Sequence, residues 1–162
     1  MKAAVYRETA FFKDIQEGRM GCQTTSNVSQ VSALPTRQIL LVDDDAALLD
    51  VLPRTIELRI AQVAVTACNS AESALAHMQS GHYHLVITDL NMPRVHGLSL
   101  VRQIKAMFVN MAILVITGHG DQETEHQAMQ AGVDGFIRKP FDRIDFAATI
   151  ERLLERSHPL DA

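Results

Sequence analysis

From residue 38 onward the sequence alternates, five times over, between a short β-rich apolar run and a stretch with helical character. The runs lie at 38–42, 62–67, 84–88, 112–116 and 135–138. Leu48, Val51, Leu52, Thr55 and Ile56 then follow i, i+3, i+4 spacing. So do Ala71, Ala74, Leu75 and Met78, then Leu98, Val101, Ile104 and Phe108, and finally Phe146, Ile150, Leu153 and Leu154. Strands that each lead into a helix pair in parallel, because a parallel neighbour needs a crossover. The runs LLV, LVIT and AILVIT are apolar without a break, as strands covered on both faces should be. The expected fold is therefore α/β, a doubly wound parallel sheet with helices on both faces. The stretch 121–131 is poor in apolar residues and should be the most exposed helix. Pro53 predicts a kink or an early turn in the first helix, and Ser70, Asp121 and Asp142 are candidate N-caps.

Residues 18–36 break this pattern, being rich in Ser, Thr, Gln and Asn, and read as a linker. Before them Ala4, Phe11, Phe12 and Ile15 could line one side of a short helix, which would be marginal alone. The division is thus an N-terminal extension and linker at 1–36, expected to be flexible, and a globular unit at 37–162. Of the formal net charge of −4, the first 36 residues contribute +1, so the acidity belongs to the globular part. That balance disfavours direct DNA binding. The longest apolar run, 111–116, is too short for membrane insertion, and Arg7 and Glu8 interrupt any secretory signal. Cys22 and Cys68 are too few for a disulfide framework, which fits a cytoplasmic protein.

Ligands of open α/β sheets bind beyond the carboxyl ends of the strands. The first run ends in Asp43, Asp44 and Asp45, the third in Asp89, the fourth in Thr117 and Gly118, the fifth in Lys139 and Pro140. A parallel sheet gathers these ends at one edge. Adjacent carboxylates are costly without a cation, and a hard oxygen site suits Mg²⁺. A carboxylate kept ionised beside Mg²⁺ and Lys139 can act as a nucleophile. Lys139 and Thr117 can then hold phosphoryl oxygens, and Gly118 leaves room for the incoming group. The set is suited to accepting a phosphoryl group on an aspartate.

The segments ILLVDDD, LVITDLNMPRVHGL and GFIRKPF, with the pair Thr117-Gly118, resemble a response-regulator receiver domain over about residues 37–156. The resemblance implies a flavodoxin-like sheet of order 2-1-3-4-5. It places Asp89 on the phosphoacceptor, and Asp43 and Asp44 on the acidic pair that holds Mg²⁺, joined by the main-chain carbonyl of Asn91. Thr117 falls on the hydroxyl that turns toward the phosphoryl group, Lys139 on the partner lysine, and Phe136 on the aromatic switch. A cis Lys139–Pro140 bond is expected. His119, two residues past Thr117, and Asn91 should border the path of the attacking water, with Gly118 beside them. Thr117 and Phe136 are expected at the ends of neighbouring strands. The implied donor is a sensor histidine kinase or phosphotransfer protein, and the implied output is a partner-binding surface over 121–156. The unit is expected to act as a stand-alone signalling switch rather than a metabolic enzyme, dephosphorylating itself, as a monomer or weak dimer.

Plainer and rival readings bear on several of these residues. Asp45 suits a helix cap better than a metal ligand, and Phe136 alone could be core. His77, His82 and His84 match no structural zinc spacing, and His96 reads as solvated. A phosphatase of the haloacid-dehalogenase type would use Asp43 as nucleophile, but Ala47 and the lack of a cap-sized insertion count against it. An adaptor working through its N-terminal segment is the third reading.

Overall fold

The computed structural model describes residues 36–92, 97–118 and 121–156. Among them lie five strands and five helices in strict alternation: β1 Arg37–Val42, α1 Ala46–Arg59, β2 Val63–Cys68, α2 Ala71–Ser80, β3 Leu85–Thr88, α3 Gly97–Met107, β4 Ala112–Thr117, α4 Gln122–Gln130, β5 Gly135–Arg138 and α5 Arg143–Arg156. The strands form one sheet in the order β2-β1-β3-β4-β5, and each neighbouring pair is parallel. The extension proposed for 1–36 lies, but for Thr36, outside the described residues.

Side chains alternate across each strand, so the sheet has two apolar faces. Ile39, Leu41, Ile87, Leu114 and Ile116 pack against α1 and α5 through Leu52, Ile56, Phe146 and Ile150. Leu40, Val42, Val86, Ile113 and Val115 pack on the opposite side against α2, α3 and α4 through Met78, Leu100, Ile104 and Ala128. β3 and β4 are buried at every position, which is what their unbroken apolar runs require. α4 buries Ala128 alone, the sparsest anchorage of the five.

The caps form as the sequence indicates. Asp45 accepts from the Ala47 and Leu48 amides, Ser70 from the Ser73 amide, Asp121 from the Thr124 amide and Asp142 from the Ile144 amide. One expectation fails. Val51, assigned to the apolar stripe of α1, is 64% exposed, because only Leu52 and Ile56 of that helix are fully covered by the sheet. Pro53 lies inside the helix, which continues to Arg59. The packing of Leu52 and Ile56 on either side of Pro53 holds both halves against one face.

Candidate functional site

The carboxyl ends of β1, β3, β4 and β5 meet because the strands between them are in parallel register. Val42 pairs with Thr88, so Asp43 and Asp89 follow at one level, while Thr117 stands one position and Lys139 two positions beyond that level at the same edge. Main-chain bonds continue past the strands: the Asp43 amide donates to Cys68, the Asp89 amide to Val42, and the Lys139 amide to Thr117. The side chains are thus carried by extended, tied-down backbone rather than by loose loop.

Lys139 Nζ donates to Asp43 Oδ2 at 2.7 Å and to Asp89 Oδ2 at 2.9 Å. Asp43 is wholly buried and Asp89 nearly so. Each carboxylate has a second donor, since Asp43 Oδ1 accepts from the Asp45 amide and Asp89 Oδ1 from the Asn91 amide. Burial pushes the Lys139 ammonium down, but its hydrogen bonds and charge contacts with Asp43 and Asp89 outweigh this, so its pKa stands above the usual lysine value. The Lys139–Pro140 bond is cis.

Thr117 is buried at the end of β4, and its hydroxyl oxygen accepts from Asn91 Nδ2 at 2.9 Å. Asp89, Asn91, Thr117 and Lys139 therefore form a closed ring of hydrogen bonds, in which the Asn91 and Lys139 main-chain amides donate as well as their side chains. Beside it, a Cβ on Gly118 would meet nothing within 4 Å, so the rim is open there. Gly97 is the opposite case. A Cβ there would lie 2.4 Å from Leu90 Cα and 2.5 Å from the Asp89 carbonyl oxygen. The start of α3 thus presses on the backbone that carries Asp89.

Asp43, Asp89, Thr117, Lys139 and the Asn91 backbone come together as the sequence indicates. Asp44 is exposed, and no three His, Cys, Asp or Glu side chains converge as a metal cluster among the described residues. Phe136 is not at a strand end. It is the second residue of β5, level with Val115 and two positions below Thr117, half-buried against the cluster that contains Ala128. His119 and His96 lie outside the described residues. His84 serves the fold, because its Nδ1 accepts from the Gln38 amide at 3.0 Å. Asn91 was singled out from sequence for its carbonyl and its place beside the water path, but its side-chain bond to Thr117 was not, and neither was Gly97. The short spacing from Asp89 to Asn91 was visible, but the amide's reach to Thr117, 26 positions on, was not.

The donor set fits Mg²⁺. It is all oxygen, and two buried carboxylates share one ammonium, leaving negative charge in surplus. Mg²⁺ takes one or two carboxylates and keeps several waters, so a third carboxylate is not required.

The response regulator receiver domain family model matches residues 39–151. The chain belongs to this family. The receiver is 39% identical over 111 residues to the C4-dicarboxylate transport transcriptional regulatory protein DctD of Rhizobium meliloti, covering 68% of this chain and 23% of that protein. It is 33% identical over 121 residues to the transcriptional regulatory protein FixJ of Bradyrhizobium diazoefficiens, covering 75% of this chain and 58% of that protein. The chain thus spans from 23% to 58% of the length of these relatives. Its fold matches the CheY-like receiver domain protein of Methanospirillum hungatei with a TM-score of 0.70 at 26% identity, over 75% of this chain and 95% of that one. A receiver domain from Clostridium thermocellum matches with a TM-score of 0.69 at 29% identity, over 74% and 95%. The receiver is a signalling domain of two-component systems. Domains of this family generally bind Mg²⁺ and pair with histidine kinases. The phosphatase-type and adaptor readings are not favoured. Among the described residues no helix is long and apolar enough to cross a membrane.

Proposed function

We propose that Asp89 accepts a phosphoryl group from a phosphohistidine on a sensor histidine kinase or phosphotransfer protein, in the cytoplasm. The observation that carries this is the Lys139 ammonium held at once by Asp43 and Asp89. An Asp89 carboxylate oxygen attacks phosphorus. The new O–P bond forms as the P–N bond breaks, and the imidazole nitrogen of the donor leaves with that electron pair. Lys139 and Thr117 then hold phosphoryl oxygens by charge-assisted hydrogen bonds. Bound Mg²⁺ would neutralise charge building on the phosphoryl oxygens. Asp43, Asp44, Asp89 and the Asn91 carbonyl would hold it.

Dephosphorylation returns the Asp89 carboxylate and inorganic phosphate when water attacks the same phosphorus, with Asn91 beside its path and Gly118 leaving the path open. The output is a changed surface over α4, β5 and α5, where Phe136 follows Thr117 and a downstream protein binds. Among the described residues the large exposed apolar side chains are divided between α1 (Val51, Leu58), the end of α3 (Met107, Val109), α4 (Met129) and α5 (Ile144), with at most two at each place, which supports a monomer or weak dimer.

The test is labelling with a small phosphodonor and Mg²⁺. Asp89→Asn should abolish the label, and Asp43→Asn should weaken it about tenfold or more through lost metal affinity. A label that survives Asp89→Asn and disappears with Asp43→Asn supports the phosphatase-type reading instead.

A further inference from the structure

We infer that the Asn91 side chain is a latch on Thr117, a positioning residue that sets how readily the receiver passes from its resting to its phosphorylated arrangement. The inference rests on Asp89 being the phosphoacceptor. Asn91 is engaged at the site through both its main chain and its side chain. Its main-chain amide donates to Asp89 Oδ1, and its side-chain Nδ2 donates to Thr117 Oγ1, both at 2.9 Å. Through it the acceptor loop after β3 is bonded to the buried end of β4.

A threonine side chain sits in one of a few staggered wells, and the Asn91 amide favours the well that presents Oγ1 to it. Thr117 points to the same side of the sheet as Val115 and Phe136, toward α4, because side chains alternate along β4 and the Val115–Phe136 register is parallel. Turning Thr117 to another staggered well, so that its hydroxyl reaches a phosphoryl group on Asp89, moves Oγ1 by roughly 2 Å. That exceeds the tolerance of a hydrogen bond, so the bond to Asn91 is exchanged for the bond to the phosphoryl oxygen. The resting arrangement is stabilised by the first bond and the phosphorylated one by the second. A neutral hydrogen bond of this kind biases such an equilibrium about two- to tenfold. Asn91 itself is exposed, so its amide can be resolvated once released, and the exchange leaves no buried group unpaired.

The experiment is a double-mutant cycle read by the amide shifts of 42–45 and 139, which adjoin Asp89 and respond to beryllofluoride in every variant, during beryllofluoride titration in Mg²⁺, with Asn91→Ala, Thr117→Ala and the pair. The latch predicts that Asn91→Ala lowers the concentration giving half the shift about two- to tenfold with Thr117 present, and changes it less than twofold in the Thr117→Ala background. It also predicts that, without beryllofluoride, the Thr117 χ1 couplings of Asn91→Ala move toward those of the beryllofluoride-bound wild type. An equal effect in both backgrounds, a raised midpoint, or unchanged χ1 couplings overturns it. Phosphodonor labelling of each variant runs alongside. A wild-type receiver that takes no label at Asp89 defeats the phosphoacceptor reading, whereas normal labelling with no Asn91–Thr117 coupling defeats the latch alone.

Discussion

Lys139 Nζ and Asp43 Oδ2 lie 2.7 Å apart although 96 positions separate the two residues in sequence. Asp43 is wholly buried, so water cannot stabilise its charge, and the ammonium takes that place. The same ammonium serves Asp89, so one positive charge is divided between two negative ones.

Removing that charge should therefore be costly and partly reversible by metal. Lys139→Met leaves two buried carboxylates facing each other, and breaking a buried ion pair typically costs about 3–5 kcal/mol. Urea unfolding in the presence of a chelator should show a loss of that order. Millimolar Mg²⁺ should restore more stability to the variant than it adds to wild type, since binding to the folded state alone raises stability by mass action. A variant as stable as wild type in chelator would show that the ion pair does not hold the site together.

The same contacts set a sign for the alkaline limb. The Lys139 pKa is raised in the folded chain. In the window from the ordinary lysine value up to the raised one, the folded protein keeps a proton that the unfolded chain has lost. The contribution of Lys139 is fully present below that window and is lost as pH rises through it. Unfolding midpoints of wild type should fall across this window more steeply than those of Lys139→Met. Parallel slopes would contradict the shift.

Gly97→Ala tests the support beneath Asp89. Its Cβ would lie 2.4 Å from Leu90 Cα and 2.5 Å from the Asp89 carbonyl oxygen, both backbone atoms that cannot step aside as a side chain end could. Overpacking of this kind costs about 1–3 kcal/mol. We expect a lower denaturant midpoint with an unchanged m-value, together with slower labelling at Asp89, because the displaced backbone carries the acceptor.

Acid should loosen α4 before the rest of the sheet. The Thr124 amide and hydroxyl hold the Asp121 carboxyl below its usual range, with a smaller effect from the Arg138 charge. A depressed carboxyl contributes stability that is present above its unfolded value and is lost as pH falls through the folded one. With Ala128 as its one buried residue, α4 has little else to hold it. Amide exchange in α4 should accelerate on acidification in wild type and respond less in Asp121→Asn, which caps without a charge.

The switch itself is tested by Thr117→Ala and Phe136→Ala. The first should leave Asp89 open to labelling while removing the beryllofluoride-induced amide shifts over 121–156. Shifts equal to those of wild type would show that Thr117 does not couple the site to α4. The second should also blunt the response. Because Phe136 packs against the core cluster, its unfolding midpoint must be measured in parallel.

Much of this was legible along the chain. Apolar runs of strand length gave β1 to β5 within one residue at each end, and the helical spacing after them located the helices without fixing their ends. The caps at Asp45, Ser70, Asp121 and Asp142 were legible because each closes a bond to an amide two or three positions away. Asp43, Asp89, Thr117 and Lys139 could be placed at one edge because every parallel strand ends on the same side. What sequence left open depends on contacts between segments. Periodicity marks a helix face but not how wide a strip the sheet covers, so Val51 was assigned inward and lies outside. The register between β4 and β5 decides that Phe136 stands beside Val115 and below Thr117. The close approach of Gly97 to Asp89, and the reach of the Asn91 amide to Thr117, depend on how an acceptor loop packs against neighbouring elements. Local backbone preference acts through neighbours a few bonds away and is written in the sequence. Which atoms meet across the sheet edge is settled by strand register and side-chain rotamer together, and only the folded chain fixes both.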